Sequence, residues 1–295
     1  MTADGRRLIV VTGATGLQGG AVIRHLLKDG WQVRGVTRNA ASKPAQALAA
    51  RGVDVVRGDM EDTASLRPIF AGAYGVYSVQ NPYISGPDAE VKQGKNVADV
   101  ANASGVQHLL YGSAGIGRTG TGIPSWETKL HIEEHMQALN LPLTILRPKA
   151  FMELMTTKKF FPAVGTWQVM LKLMGASRPL PWLCVDDLGI IAARAFAAPD
   201  QFVGRELTLA SDVQSLDQCR AIYREVLGKN PPRFPMPTWL FQRFGFVGRD
   251  LTTMWCWLRT GVIDLDTAPT YAIHPDGLTV RAWLSRQKAL RVASL

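Results

Sequence analysis

A short apolar run, Leu8-Ile-Val-Val11, ends directly in Thr12-Gly13-Ala14-Thr15-Gly16-Leu17-Gln18-Gly19-Gly20, and the residues that follow repeat apolar side chains at helical spacing. A strand that enters a helix through G-x-x-G-x-x-G leaves few folds open. Glycines at these places allow a tight turn, a close approach of backbone to phosphate oxygens and close helix–strand packing. The first helical turn adds N–H groups that have no partner within the helix and can face an anion. The pattern predicts a dinucleotide pyrophosphate site built from Gly13, Thr15, Gly16, Leu17, Gln18 and Gly19. It also predicts a helix over 17–28 that stops at Gly30 and turns Val22, Ile23 and Leu26 inward.

Runs of strand length recur at 32–36, 53–56, 75–79, 108–111 and 143–146, with helix-length segments near 42–50, 62–70, 90–103 and 125–139 between them. Such alternation predicts right-handed crossovers and an α/β fold, a Rossmann doubly wound parallel sheet. After Pro148 the rhythm breaks, and a helix over 185–198 and a strand over 206–210 bring the chain back to the sheet. We therefore expect a Rossmann domain of residues 1–150, rejoined by 185–210, and a smaller discontinuous lobe made of 151–184 and 211–295 for substrate or partner. The proline- and aromatic-rich stretch 231–257 is expected to pack that lobe or to form a homodimer surface.

Composition narrows the function classes. At 295 residues and 46% hydrophobic content the chain can bury a sizeable core. Its longest apolar stretches, such as Leu188 to Ala198 with its interrupting Arg194, are too short to span a bilayer, and the first apolar run, Leu8 to Val11, is too short for the core of a signal peptide. These features predict a cytoplasmic protein with no membrane association. The net charge of +9 is spread along the chain without a basic stripe, so nucleic acid is not an expected partner. Cys184, Cys219 and Cys256 have no paired spacing and read as buried or incidental thiols.

His131-Ile-Glu-Glu-His135 matches the H-x-x-E-H pattern of some zinc peptidases. Catalytic zinc needs a third protein ligand in a suitable setting, and this helix already has a place in a cofactor-binding fold, so we expect no metal and read both histidines as solvated. His25, His108 and His274 stand alone and read as structural.

The second strand ends at Thr37-Arg38-Asn39, where an NAD-specific site would place an acid on the ribose 2′-hydroxyl. Arg38 instead offers a planar fork suited to a 2′-phosphate, with Lys43 as a second cation, which predicts NADP(H). At the end of the third strand Gly58-Asp59-Met60 is placed to border the adenine, giving Asp59 and Met60 as further candidates.

Taken with Val36-Thr-Arg-Asn39, Val56-Arg-Gly-Asp59, Glu90-Val-Lys-Gln-Gly-Lys95, Val185-Asp-Asp-Leu-Gly189 and the closing Leu278-Thr279 and Trp283-Leu284, the segment Val11 to Gly20 carries a resemblance across nearly the whole chain. The sequence resembles the NmrA-like branch of the atypical short-chain dehydrogenases/reductases, especially its HSCARG-type NADPH-sensing members. The resemblance implies a Rossmann fold with a small C-terminal lobe, NADP(H) as ligand, and nicotinamide contacts near Gln80-Asn81, Ser113 and Pro148 to Phe151.

Reductases of the wider superfamily pair a Tyr with a Lys one helical turn on, beside a Ser on the preceding strand. Ser113 and Lys129 stand in the Ser and Lys places, but the position four before Lys129 is Ser125. An aliphatic hydroxyl is a much weaker acid than a phenol and cannot simply replace it as general acid. Lys129 is expected to meet the nicotinamide ribose or, alternatively, to pair with Glu133 at i+4. Two readings stand. The first is an NADP(H)-binding redox sensor that acts through a regulatory protein partner. The second is an NADPH-dependent reductase of quinones or other activated small-molecule acceptors that uses Lys129 and Ser113.

Overall fold

The computed structural model describes residues 7–156, 165–232 and 236–293. The chain alternates β1 (Leu8–Val11), α1 (Leu17–Lys28), β2 (Gln32–Thr37), α2 (Lys43–Ala49), β3 (Asp54–Arg57), α3 (Thr63–Phe70), β4 (Gly75–Ser78), α4 (Pro82–Ser85), α5 (Pro87–Ala103), β5 (His108–Gly112), α6 (Pro124–Ala138) and β6 (Leu143–Pro148). Local chemistry marks the helix starts. Ser42 accepts from the Ala45 N–H at the head of α2, Asp62 from Ala64 at the head of α3, and Asn81 from Tyr83 at the head of α4. At the other end of α1, Gly30 takes a φ of +80° just beyond the Asp29 cap.

The strands form a seven-stranded sheet in the order β3-β2-β1-β4-β5-β6-β9, where β9 is Glu206–Leu209, and its neighbours run parallel from β3 through β6. Strands β1, β4, β5 and β6 are buried along their whole length, as strands covered on both faces must be. A continuous core of Val10, Leu66, Phe70, Val97, Ala101, Leu109, Ile132 and Met136 joins them to α3, α5 and α6. Helix α8 (Val185–Ala197) returns to α1 at Gly189, where an added Cβ would lie 2.7 Å from the Ala21 carbonyl. The doubly wound Rossmann class is the one expected. Its strand order reverses between β1 and β4, which makes their carboxyl ends the place where such sheets bind ligands.

The chain divides into two compact units, one of Met1–Thr119, Ser125–Arg147 and Leu188–Leu207, the other of Gly120–Pro124, Pro148–Asp187 and Thr208–Leu295. The second contains a three-stranded sheet, β10-β8-β7, that the sequence does not announce: β7 is Ala150–Phe151, β8 Pro179–Leu183 and β10 Asp212–Ser215. Two of its strands conceal themselves, because β7 has only two residues and β8 carries Pro179 and Pro181, which usually demote a strand. In the same unit α10 (Leu216–Leu227) starts with a capping box between Ser215 and Gln218, and the Phe241 and Trp255 rings stack at 5.4 Å. Part of the aromatic stretch thus packs its own unit, while Trp239 and Phe244 stay exposed. Among the described residues no helix is long and apolar enough to cross a membrane.

A half-buried acid in this unit gives a pH dependence. The Glu153 carboxylate accepts the Val185 N–H at 3.1 Å, and burial, with Asp187 adding to it, pushes its pKa up from 4.5 to about 7. The folded state therefore keeps a proton that the unfolded chain releases near 4.5. Stability from this group is full below pH 4.5 and is lost as pH rises through 7. Glu153→Gln, which cannot ionise, is expected to gain about 2 kcal/mol relative to the parent between pH 5 and pH 8. Urea midpoints at the two pH values check it; an equal difference at both would show that Glu153 titrates normally.

Candidate functional site

The first unit gathers its chemistry at the carboxyl ends of β1 and β4. Gly13 has a φ of +58°, and a Cβ there would meet Val79 Cγ1 at 3.0 Å, while one at Gly19 would collide with the Gly13 carbonyl. Only glycine fits this turn. Helix α1 starts at Gly16 with no side-chain cap, which leaves its first N–H groups for another acceptor. Thr12 fastens the turn to the neighbouring strand: its Oγ1 donates to Val79 O and accepts from the Val79 N–H at 2.8 Å. Thr15 and Gly16 are exposed, and Leu17 is half-buried. Gln18, also half-buried, accepts the Tyr77 hydroxyl at 3.2 Å.

Arg38 and Lys43 are exposed at the end of β2 and the start of α2, and among the described residues neither has a hydrogen bond or ion pair. Asp59 shapes its own loop, accepting the Glu61 N–H at 2.9 Å while its backbone exchanges hydrogen bonds with Ser65. The Gln80 amide, buried behind that loop, donates to Ser78 Oγ at 3.0 Å and reaches Met60 Sδ at 3.7 Å; its Oε1 has no hydrogen-bond partner. Asn81 caps α4 through Tyr83.

Helices α5 and α6 set the next group. They meet at Gly94, where a Cβ would lie 2.6 Å from Ile132, and one turn earlier the same crossing brings Glu90 to Lys129. Both side chains are buried, and Lys129 Nζ lies 2.7 Å from Glu90 Oε1 and donates to Gln80 O at 2.9 Å. Thr128 Oγ1 donates to the other Glu90 oxygen at 2.5 Å. An ammonium has three N–H donors; the contact with Gln80 O uses one as a hydrogen bond, and the contact with Glu90 is an ion pair. The Tyr111 ring lies beneath the same nitrogen at 5.8 Å.

Lys129 therefore does not pair with Glu133 one turn on. Glu133 belongs to a different buried cluster, where it accepts from Ser113 Oγ and from Arg147, which also reaches Glu206 at 2.7 Å. Burial raises the Glu133 pKa, and Arg147 opposes the rise. Ser113 is thus tied to Glu133 and not joined to Lys129. Pro148, at the end of β6, and Phe151, in β7, fall in the second unit. His135 meets Asp99 at 2.7 Å, and Glu133, between the two histidines of the H-x-x-E-H match, turns to Arg147. His108 gives its Nε2 to Thr144 at 2.8 Å, and burial lowers its pKa to about 4.

Two partners in this arrangement are missing from the sequence-based candidates. Glu90 sits within a motif used only as a carrier of likeness, and a buried acid at 0% exposure facing a buried lysine is invisible to local spacing. Tyr83 follows the strand end as Asn81-Pro82-Tyr83, a turn signal that gives no hint of where the phenol goes.

The model of the NmrA-like family matches residues 5–272. The chain belongs to the NmrA-like family. The NmrA-like family domain-containing oxidoreductase cpsB of Aspergillus campestris is 28% identical over 310 residues, covering 96% of this chain and 90% of its own. Among solved structures, NmrA, a negative transcriptional regulator, in complex with NADP superposes with a TM-score of 0.76 at 19% identity, covering 97% of this chain and 96% of that one. The NADPH-dependent quinone oxidoreductase of Escherichia coli, complexed with NADPH, gives 0.76 at 22%, covering 95% and 99%. At such identities the two structures speak to the fold.

Proposed function

We propose that this NmrA-like protein is an NADPH-dependent reductase of quinones or other activated acceptors. The observation that carries the reading is Lys129, a buried ammonium placed on the β4 carboxyl end by its hydrogen bond to Gln80 O and its ion pair with Glu90. A buried lysine–glutamate pair gains little stability over apolar packing, because desolvation offsets its Coulomb attraction. Its presence beside the strand ends that bind ligands in such sheets suits a site that holds a ribose hydroxyl. The names of the family relative and of the quinone oxidoreductase point the same way, and the NADP-bound regulator supports the cofactor.

The residues present fit the dinucleotide. The glycine turn leaves no room for side chains, the uncapped start of α1 faces outward with N–H donors, and the buried Gln80 Oε1 lacks a donor. Gly13, Gly16, Gly19 and the adjacent N–H groups of Thr15, Leu17 and Gln18 would hold the pyrophosphate; Asp59 and Met60 would border the adenine; Gln80, Asn81 and Lys129 would hold the nicotinamide half. When bound, the reduced nicotinamide supplies hydride. The Lys129 ammonium, ion-paired with Glu90, would favour the negative charge that develops on an acceptor oxygen.

Arg38 and Lys43, exposed and without ion-pair partners among the described residues, suit a 2′-phosphate. NADPH is expected to bind about 10- to 100-fold more tightly than NADH, the gain of one or two hydrogen bonds to a charged group. Arg38→Asp should erase that preference in titrations with the two nucleotides. Equal affinities in the parent protein would exclude NADP(H) selectivity. A screen of NADPH oxidation with quinones, enones and aldehydes tests the reaction; turnover of any class supports it, and none with all three leaves the protein a binder.

A further inference from the structure

The phenol that Ser125 removes from the reductase pattern returns from another element. Tyr83, on the short turn α4, places its hydroxyl 3.4 Å from Ser125 Oγ, donating to it. Its position is fixed from several sides. The Tyr83 N–H donates to Asn81 Oδ1 at 2.9 Å, the Ile84 N–H and Ser85 Oγ both donate to Asn81 O, and Gly86 closes the turn on Pro82 O at 2.9 Å. Three residues before Tyr83, Lys129 holds Gln80 O, so the helix that carries Ser125 also anchors the segment that leads from β4 into α4. The phenol, the serine and the lysine are therefore one assembly.

Tyr83 also differs from the other phenols nearby. Tyr77 and Tyr111 are fully buried, and burial raises their pKa values well above the usual phenol range, whereas Tyr83 is half-buried.

We infer that Tyr83 is the proton donor of this site for carbonyl acceptors, an inference that rests on the reductase reading. Ser125 is its positioning residue. For a carbonyl acceptor, the bound reduced nicotinamide would supply a hydride, with both its electrons, to the carbonyl carbon, forming a C–H bond and leaving the oxidised nicotinamide. The C=O π pair moves onto oxygen, the Tyr83 O–H bond breaks to supply that oxygen with its proton, and the carbonyl ends as an alcohol. The Tyr83 phenolate then regains a proton from water. A quinone accepts hydride to give a far less basic oxygen, so it draws less on the phenol.

The test compares Tyr83→Phe with the parent protein on an aromatic aldehyde and on a para-quinone, together with NADPH affinity. Aldehyde kcat is expected to fall about 100-fold or more, quinone kcat less than about 10-fold, and NADPH affinity to stay within about twofold. In the double variant Tyr83→Phe/Ser125→Tyr the phenol is restored from α6, and aldehyde turnover is expected to recover. Nitration by tetranitromethane, read by peptide mass spectrometry, adds a readout without turnover: NADP+ should shield Tyr83.

An unchanged aldehyde kcat in Tyr83→Phe, or nitration of Tyr83 that NADP+ does not slow, overturns the assignment while leaving the reductase reading in place. A parallel loss of NADPH affinity would make Tyr83 structural and overturn it too. A parent protein that turns over quinone but no aldehyde overturns the assignment, and one that reduces no quinone, enone or aldehyde fails the reductase reading itself, and this inference with it.

Discussion

Glu133→Ala is expected to destabilise the protein by about 3–5 kcal/mol, because it strands Arg147 in the interior of the first unit. Arg147 is 5% exposed and Glu133 4% exposed, so neither charge has water to fall back on, and Glu206 reaches the guanidinium only from the surface side. The same substitution leaves the buried Ser113 hydroxyl without its acceptor. The cost arises from leaving Arg147 with only the exposed Glu206 as a partner, and not from the worth of the pair. Glu133→Leu combined with Arg147→Met should therefore recover more than half of the loss in urea unfolding. A double variant no more stable than Glu133→Ala would show that the pair itself, and not the stranded charge, carries the stability.

Lys129→Met is expected to lower kcat/KM for NADPH by about 10- to 100-fold, the worth of a hydrogen bond from a charged donor. Since the substitution would strand Glu90, which is fully buried, it is best made with Glu90→Gln. Glu90→Gln alone, which keeps Lys129 on Gln80 O at 2.9 Å, should lose much less. That ordering separates Lys129's own contact with the cofactor from its packing role. Equal losses in the two variants would reduce Lys129 to a structural cation.

The first half of the fold is legible because each of its signals is local. The strand Leu8–Val11, the turn through Gly19 and the helix Leu17–Lys28 follow from neighbours a few residues apart, and their bounds are those expected. The inward faces of Val22, Ile23 and Leu26 follow in the same way, all three being fully buried. The partner of Lys129 is not local. Spacing offers Glu133 at i+4, yet Arg147 claims that carboxylate, and the real partner Glu90 lies on a different helix brought close by Gly94. Ser113 is drawn away from Lys129 by the same cluster.

Tyr83 shows the same limit from the other side. The absence of a phenol at position 125 is plain in the sequence, while its delivery from residue 83 depends on a turn that only the sheet and α6 place. The second unit is harder for a different reason: its strands are short or proline-bearing, so periodicity has too few residues to act on.

A reductase must move hydride, and not merely hold the dinucleotide. NADPH carrying deuterium at nicotinamide C4 on the transferred face, incubated with the protein and an enone or aldehyde acceptor, tests it most directly. Mass spectrometry of the product should find one deuterium on carbon, matched by an equal amount of NADP+. Unchanged acceptor and intact labelled NADPH, with the nucleotide still bound, would contradict it.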